Sequence, residues 1–319
     1  MDKDAQRRGS SADLVRTLVP RAAMDALMLR SNSRAAWHLL GHVLALAAAG
    51  WLVALAQGRW TVWPAMFLMG IVMTHLFAPQ HECAHFSAFR SRWLNRVVGW
   101  WCGAVIMVPQ VHFRYEHHHH HTFTHLQGQD PELIPMPASF GAYLLYLSAV
   151  PYWWSSWSGI GRRSLGRLTE EELGFIPARE RSVVIREARV LAVLYLALLG
   201  VVLAGWQAPL FYWLLPLLLG QPVMRFIRMT EHVGRPHVAD PLQNTRTTRV
   251  AGPWRLLAWN MNFHAEHHLL PSVPYHALPR FHGLLKGRIP VRQGYRDGHR
   301  EILARLWGRT DALPGDLRS

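Results

Sequence analysis

Charged residues are scarce in this sequence, and the stretches without them are long. Asp, Glu, Lys and Arg make up 17% of the 319 residues, below the roughly 25% of ordinary soluble domains. Three gaps hold no such residue: Arg34 to Arg59, Arg59 to Glu82, and Arg189 to Arg225. A helix of about 20 apolar residues is long enough to cross a bilayer. The gaps therefore exclude an ordinary soluble domain and predict an integral membrane protein.

The gaps predict an all-α fold with four transmembrane helices in two hairpins and a cytoplasmic helical cap. Each of the first two gaps holds one span, and the third holds two if each borrows flanking residues. The predicted spans are about 35–56, 60–79, 187–205 and 209–229. The chain then divides into an N-terminal arm, a membrane domain and a basic tail, at 1–34, 35–285 and 286–319.

Cysteine is also sparse, and the N-terminus lacks an apolar segment. Cys83 and Cys102 are too few for a disulfide framework, and they form no CxxC pair. The first 34 residues are polar and charged. They contain nothing like the apolar region of a secretory leader, so we expect no cleavable signal peptide.

The net charge of +14 comes from arginines outside the predicted spans. In a soluble protein this charge would suggest nucleic acid, but with membrane spans present we expect no nucleic-acid partner. The turn of the first hairpin carries Arg59, and that of the second carries no charge. By the positive-inside rule, the termini and the histidine-rich segments then face the cytoplasm, as in a bacterial inner-membrane protein.

Two shorter apolar segments do not fit this pattern of spans. Residues 97–111 are too few for a crossing, and we expect a re-entrant, interfacial or buried helix there. Residues 139–161 are rich in aromatic side chains. We interpret them as helices at the membrane surface, with a further hairpin as the alternative.

Histidine is abundant where charge is scarce, and much of it has helical spacing. Residues three or four positions apart share one face of a helix. Three clusters fit: the upstream cluster His81 and His85, the central cluster His117, His120 and His121, and the downstream cluster His264, His267 and His268. In the central run of five histidines, only this register gives the i, i+3, i+4 pattern. His232 lies at the end of the fourth predicted span, at a matching depth.

These nine histidines predict a site for two metal ions. A zinc ion takes about four ligands at most, whereas nine imidazoles suit two metals that each keep an open position. Imidazole binds iron, zinc and copper. Polar neighbours are expected to accept ring N–H groups of the ligands: Glu82, Asp130, Glu231, Asn262 and Glu266.

Two other interpretations of the histidines stay open. His81 to His85 matches the HExxH signature of zinc proteases, a short pattern with frequent false positives. It leaves the central and downstream clusters without a role, and the third and fourth predicted spans offer no acidic ligand before Glu231. The second alternative is a non-catalytic protein that stores or senses metal, which predicts metal binding without an O₂-dependent product.

The clusters and their surroundings resemble the membrane-bound fatty acid desaturase and hydroxylase superfamily, with its three histidine boxes. The resemblance covers about residues 35–285 and includes Asp-Pro-Glu at 130–132 and Asn262-x-His264. The form of Asp-Pro-Glu-Leu, Asn-Thr-Arg-Thr-Thr and Trp-Asn-Met is similar to that of bacterial desaturases such as dihydrorhizobitoxine desaturase.

The resemblance implies a non-haem di-iron centre at the cytoplasmic face, with all nine histidines as ligands. It implies an O₂-dependent desaturase acting on an acyl chain or similar lipid-like substrate, with a hydroxylase or ketolase of the same superfamily as the alternative. Two positions depart from the family pattern. His125 stands where Asn is frequent, and Arg228 stands where some members have a water-bridged Asn.

The predicted reaction needs electrons from outside the chain. Acid–base side chains cannot cleave an unactivated C–H bond, which is why metal and O₂ suit the prediction. The sequence contains no haem-binding or Cys-rich iron–sulfur segment, so we expect a separate ferredoxin-like or cytochrome-type donor. Basic residues such as Arg162, Arg163 and Arg167 would dock an acidic carrier.

Overall fold

The computed structural model describes residues 13, 15–285 and 287–309, and most of that part is helical. The helices, in chain order, are α1 (Arg21–Leu27), α2 (Asn32–Ala56), α3 (Val62–Thr74), α4 (Phe77–Ala84), α5 (Arg92–Ile106), α6 (Gln110–Phe123), α7 (Phe140–Leu147), α8 (Val150–Ser164), α9 (Glu170–Phe175), α10 (Arg181–Leu203), α11 (Leu215–His232), α12 (Pro241–Asn244), α13 (Gly252–Leu257), α14 (His264–Leu269), α15 (Leu278–Leu284) and α16 (Tyr295–Leu306). A π-helical turn, Leu210–Leu214, leads into α11, and short 3₁₀ turns occupy Ala178–Glu180 and Tyr275–Ala277. Two short strands, β1 (Thr247–Thr248) and β2 (Val291–Arg292), pair in parallel.

Three helical stretches in the described residues are long and apolar enough to cross a membrane. They are α2, the stretch Val62–Ala84 formed by α3 and α4, and the stretch Leu210–His232 that ends as α11. These coincide with the first, second and fourth predicted spans. The predicted span 187–205 lies on α10, whose N-terminal half carries charged residues such as Arg186 and Glu187. It is not among the three, and the four-span arrangement stays a prediction.

The outer faces of the long helices are apolar and exposed. Contiguous exposed apolar surface is rare on soluble proteins and marks contact with a membrane or a partner. Examples lie on α2, α3 and α10: Leu44, Leu55, Leu68, Val193, Leu196 and Leu203. Helix α10 therefore shares the surface chemistry of the other long helices.

Helices α3 and α11 cross in backbone contact, because a glycine stands at the crossing on each of them. A Cβ atom at Gly70 would lie 1.9 Å from the carbonyl oxygen of Pro216, and one at Gly220 would lie 2.2 Å from the carbonyl carbon of Gly70. Small residues allow membrane helices to approach this closely. From the crossing, α3 leads into α4 and His81, and α11 continues to His232. The contact therefore fixes the relative depth of two histidine-bearing helix ends.

The shorter helices form a cap, which buried ion pairs hold together. Glu301 on α16 binds Arg246 at 2.9 Å and Arg292 at 3.1 Å. Arg246 also donates to the carbonyl of Val233, just after α11, at 2.7 Å. Although burial opposes it, Arg246 lowers the pKa of Glu301 to about 2. Removing one partner of such a buried pair leaves an uncompensated charge, so this network fastens the C-terminal part of the cap to α11.

The two shorter apolar segments form helices of the cap. Residues 97–111 comprise the end of α5 and the start of α6, which meet at Met107 in a left-handed conformation with φ of 60°. Residues 139–161 form α7, with 8 residues, and most of α8, with 15. The Ser156 hydroxyl donates to the Met107 carbonyl at 2.7 Å. This bond fixes α8 against the turn between α5 and α6.

Substitution of Gly220 by alanine tests the helix crossing. The added Cβ collides with the backbone of α3, so we expect Gly220→Ala to lower the free energy of unfolding by about 2 kcal/mol or more. The measurement is thermal unfolding of the purified protein in detergent. Gly200→Ala on α10 is the matched control, because nothing lies within 4 Å of its Cβ position. It should be neutral or slightly stabilising, since alanine favours helix. Equal losses in the two variants would contradict the crossing.

Candidate metal centre

Four helices bring the nine predicted ligands to one place in the cap. Helix α4 carries His81 and is followed directly by its C-cap residue His85, and α11 ends at His232. Helix α6 supplies the central cluster, and α14 supplies the downstream cluster. All nine side chains are buried or half-buried, whereas His118, within the same run, is exposed. The helical register expected from the sequence therefore turns three histidines of the run inward.

Five of the histidines form one group, which we call the five-histidine group. One nitrogen from each lies within 4.8 Å of the others: His81, His85, His117, His121 and His267. The Nε2 atom of His81 is 2.6 Å from that of His117 and 3.0 Å from that of His267. The Nε2 atom of His121 is 3.0 Å from that of His117 and 3.1 Å from that of His267.

The remaining four form a second group, which we call the four-histidine group. His120, His232 and His268 have nitrogens within 4.8 Å of one another. The Nε2 atom of His264 lies 3.1 Å from those of both His232 and His268. A carboxylate oxygen of Glu231 lies 3.7 Å from His264 Nε2. The site therefore offers two adjacent sets of nitrogen donors.

Hydrogen bonds at Nδ1 determine the tautomer of four ligand rings. His117 donates to Glu132 at 2.6 Å, and His120 donates to Asp130 at 2.8 Å. His232 donates to the carbonyl of Asn244 at 3.1 Å. A ring that donates from Nδ1 in its neutral form has a lone pair at Nε2. The Nε2 atoms of these rings are therefore acceptors.

The fourth of these rings is His268, whose Nδ1 lies 3.1 Å from the Thr124 hydroxyl. That hydroxyl donates its single proton to the carbonyl of His120, at 2.8 Å. It must therefore accept from His268, and His268 Nε2 also has a lone pair. Lone pairs at Nε2 of His232 and His268 then both point at His264. A neutral His264 has one ring proton, which can make a good hydrogen bond to only one of them, so the other contact near 3 Å is repulsive unless a cation lies between the nitrogens.

The nitrogen geometry fits transition-metal ions. Two imidazole ligands at right angles about a metal, with bonds of about 2.1 Å, have their nitrogens about 3.0 Å apart. Four contacts, of 3.0 and 3.1 Å, match this value, whereas the contact of 2.6 Å between His81 and His117 is shorter than it. The Nε2 atom of His85 is buried without any partner among the described residues, as a nitrogen reserved for a metal would be. The residues present therefore fit a two-metal site.

Burial also favours the ligand form of the rings. In the central and downstream clusters, it lowers the pKa well below the ordinary value in every ring except His120: His117, His121, His264, His267 and His268. Metal binding requires neutral imidazole, so these rings need not lose a proton to bind. His120 differs, because Glu132 and Asp130 outweigh the effect of burial and raise its pKa. Such carboxylate partners increase the basicity of a ligand.

The five residues expected to orient the ligands have different positions. Asp130 lies as expected, at His120 Nδ1. A carboxylate oxygen of Glu231 lies 3.7 Å from the nitrogen of His264 that faces the group, a position from which it could bind a metal, and it makes no hydrogen bond to a ligand ring among the described residues. The carboxylate of Glu82 instead accepts from the Ser87 hydroxyl and the Tyr275 amide. It therefore does not orient a ligand.

Asn262 and Glu266 also lie away from the ligand rings. The amide of Asn262 donates to the Thr248 carbonyl at 2.9 Å. Glu266 accepts from the Thr247 hydroxyl and from His282 Nδ1. Both residues connect the downstream cluster to strand β1 and helix α15, so they position the backbone of α14 rather than its rings.

Sequence reasoning missed three orienting groups: Glu132, Thr124 and the carbonyl of Asn244. The Asp-Pro-Glu segment carried a signal for the first, because it follows the central cluster closely. Arg228 gives Glu132 a partner at 2.8 Å and approaches Glu231 at 3.4 Å. His125, the other departure from the family pattern, lies outside both groups and contacts the Arg235 carbonyl at 3.0 Å.

One cavity reaches the clustered histidines, and a second cavity adjoins it. The inner cavity, of about 40 Å³, is lined by His81 of one group and His264 of the other. The outer cavity, of about 270 Å³, extends away from the metal centre towards α7 and α8. Phe77, Met224 and Arg228 line both cavities. They form the boundary that a substrate would pass to reach the histidines.

Comparison with known proteins gives consistent matches. The sequence model of the fatty acid desaturase family matches residues 58–298. The chain is 26% identical over 300 residues to the sn-1 oleoyl-lipid 12-desaturase of Synechocystis sp., which covers 86% of this chain and 80% of that protein. It is 37% identical over 82 residues to the Delta(12) fatty acid desaturase of Mortierella alpina, covering 25% of this chain and 20% of the fungal protein.

A probable fatty acid desaturase of Sorghum bicolor is 34% identical over 89 residues, or 28% of this chain and 23% of the plant protein. The fungal and plant matches thus span about a fifth to a quarter of those relatives, whereas the family match extends over most of the chain and includes all nine histidines. This protein belongs to the fatty acid desaturase family, as its histidine clusters predict.

Proposed function

We propose that this protein is an O₂-dependent desaturase that holds two non-haem irons between its nine clustered histidines. The observation that carries the proposal is the convergence of Nε2 lone pairs at about 3 Å, which a bound cation would relieve. Family membership supports iron and an oxidoreductase reaction. The names of the relatives support an acyl chain or similar lipid-like substrate.

The proposed setting is the cytoplasmic face of a bacterial inner membrane. Three long apolar helices support membrane insertion, and the exposed apolar face of α10 supports a fourth span. The proposed domain limits are those of the sequence: an arm over 1–34, a membrane domain over 35–285 and a tail over 286–319. The basic residues outside the spans support the cytoplasmic orientation.

Two irons bound in these groups would supply the oxidising power that removes hydrogen from an unactivated C–H bond. The overall reaction consumes O₂, two electrons from an external donor and two protons. It converts CH₂–CH₂ into CH=CH and releases two waters. The chain's own residues hold the site in place for this reaction. Glu132 and Asp130 fix the rings of His117 and His120, and Arg228 offsets the carboxylate charge beside them.

The inner cavity is where the reacting carbons would lie. Its wall includes His81 and His264, one from each group, so a chain there is adjacent to both groups. Apolar side chains, among them Met224 and Met261, line one part of the wall. Polar side chains line the rest, such as Arg228, Glu231 and Arg246. The apolar side chains exclude water from the site and hold the chain close to the metal ligands, as an oxidation of unactivated carbon requires.

The geometry does not favour a zinc protease. In an HExxH protease the glutamate faces the metal-bound water as general base. Here the carboxylate of Glu82 points away from the histidines, to Ser87 and Tyr275. His81 and His85 are grouped with three further histidines instead of one acidic ligand.

An external electron donor stays part of the proposal, but its expected docking surface changes. Arg163 is buried and binds Glu172 at 2.7 Å, and Arg162 binds the same carboxylate at 2.5 Å. The two arginines therefore belong to an internal ion-pair network. Of the three, only Arg167 is exposed. Docking of an acidic carrier would need other basic residues of the cap.

Iron content tests the site. We expect wild-type protein to hold about two irons per chain, and His120→Ala to hold less because the four-histidine group loses a ligand. The measurement is elemental analysis of purified, iron-loaded protein. His118→Ala is the matched control, because this side chain is exposed and lies outside both groups. The same iron content in both variants would refute the ligand assignment.

Product analysis tests the reaction. Untargeted mass spectrometry would compare lipids and polar metabolites of cells that express wild type or His264→Ala. We expect a species lighter by two hydrogens in wild-type cells only. The variant lacks the ring of His264, whose Nε2 atom lies 3.1 Å from those of both His232 and His268. A species heavier by one oxygen would identify a hydroxylase instead. Iron binding without any dependent product would favour the metal-storage alternative.

Glu132→Gln tests the orienting role of this carboxylate. Loss of the charge weakens the hydrogen bond that fixes His117, so iron affinity should fall about 10–100-fold. Competition with a chelator measures it. Glu171→Gln, at an exposed position on α9, is the control and should retain wild-type affinity. Unchanged affinity in Glu132→Gln would show that the ring is held by other contacts.

A further inference from the structure

The wall of the outer cavity is unusually polar for a hydrocarbon chain. Its titratable side chains other than tyrosine are His112, Glu116, Glu132, Arg163, Arg225 and Arg228. Most of them are paired. Arg163 binds Glu172 at 2.7 Å, Arg228 binds Glu132 at 2.8 Å, and Glu116 lies 3.7 Å from His112. Arg225 is the exception: in the part of the chain that the structure describes, it forms no direct ion pair, and the carboxylate of Glu231 interacts with it only at longer range.

Arg225 is nevertheless held in a fixed orientation. Its guanidinium lies over the ring of Tyr152, with 4.2 Å between Cζ and the ring centroid. Its Nε atom is buried and has no hydrogen-bond partner among the described residues. A buried guanidinium nitrogen without an acceptor is costly, because its hydration is lost and nothing replaces it.

A second unsatisfied donor lies in the same wall. The hydroxyl of Tyr146 is buried beside the guanidinium of Arg225, which can donate to its oxygen, and the hydroxyl proton has no acceptor among the described residues. Tyr146 lies on α7 and Tyr152 on α8, so the aromatic segment supplies one side of the cavity and α11 supplies the other. A cationic donor beside a neutral donor is complementary to an anionic acceptor, and the guanidinium fork matches a carboxylate.

The dimensions suit a compact molecule. Arg225, Arg228 and His232 lie at i, i+3 and i+7 on α11, which places them along one face. Seven residues of helix measure about 10 Å, which is the distance along the axis from Arg225 to the metal ligand. The cavity volume of about 270 Å³ lies just below the roughly 300–1,000 Å³ typical of ligand sites.

We infer that the substrate of the proposed desaturase carries a carboxylate, which Arg225 and Tyr146 bind in the outer cavity. This inference rests on the proposed function. The reacting carbons extend past Phe77 into the inner cavity, between His81 and His264. One unpaired cation balances one negative charge, so the site suits a carboxylate better than a doubly charged phosphate. The substrate is then a small acidic amphiphile rather than the middle of a membrane-lipid chain.

Binding of a defined probe tests the carboxylate site without turnover. Equilibrium dialysis would measure radiolabelled hexanoate and hexan-1-ol against the iron-loaded protein in nanodiscs, with empty nanodiscs subtracted. We expect wild type to bind hexanoate at least about tenfold more tightly than the alcohol. Arg225→Gln should abolish that preference, and Arg225→Lys should restore it in part because charge returns without the fork. Equal binding of the two probes by wild type would overturn the inference.

Controls separate this effect from misfolding. Arg186→Gln removes an exposed arginine from α10 and should keep the preference for hexanoate. Tyr146→Phe keeps the ring and removes one donor, so it should weaken hexanoate binding and leave hexan-1-ol binding unchanged. If Arg225→Gln does not fold, hexanoate binding by Tyr146→Phe tests the inference in its place. Unchanged hexanoate binding in that variant would overturn the inference.

Product analysis distinguishes a failure of the inference from a failure of the proposed function. A product that depends on His264, occurs among small carboxylic acids and disappears in Arg225→Gln supports both. A different result would be a product that depends on His264, is confined to intact membrane lipids and stays at wild-type level in Arg225→Gln. That result overturns the carboxylate assignment and supports the proposed desaturase function. A hexanoate preference that depends on Arg225, without any His264-dependent product, supports the carboxylate site and overturns the proposed function.

Discussion

Neutral imidazole rings cannot be buried with their lone pairs facing one another unless a cation lies among them, and most of this structure serves that arrangement. The partners at Nδ1 commit His117, His120, His232 and His268 to present Nε2 to the centre. Burial keeps the five rings of the central and downstream clusters other than His120 in the neutral form. The two proposed metal ions would satisfy all of these contacts together.

The membrane helices matter to this centre because they determine depth. Gly70 and Gly220 bring α3 and α11 into backbone contact, and the helices then continue to His81 and His232. A small shift at the crossing would move one ligand along its helix relative to the other, by about 1.5 Å for each residue of slip. The ion pairs of Glu301 hold the C-terminal cap to the end of α11. The helix crossing and the ion pairs of the cap together hold α14 beside α6.

Local spacing explains why the ligands were predictable from the sequence and their partners were not. The i, i+3 and i+4 pattern is a property of one helix, so it identified the clusters before any tertiary structure was known. Thr124 and His268 are 144 residues apart, and Glu82 meets Tyr275 across 193. Such contacts depend on how α14 and its neighbours pack. Asp130 was predictable because it follows His120 by only 10 residues, in the segment just after α6. Helix α10 is not among the three long apolar stretches because charged residues such as Arg186 and Glu187 lie in its N-terminal half.

Helix α11 combines three tasks on one face, and this links metal binding to substrate choice. His232 is placed to bind metal, Arg228 neutralises the carboxylates beside the ligands, and Arg225 faces the outer cavity with its charge unpaired. The pairing of Arg228 is what leaves Arg225 as the recognition group, since Glu132 is already occupied. A rigid helix then fixes the separation between the bound anion and the metal centre. The position of the new double bond would be measured from the carboxylate, because α11 carries both Arg225, which binds the carboxylate, and His232, a proposed metal ligand.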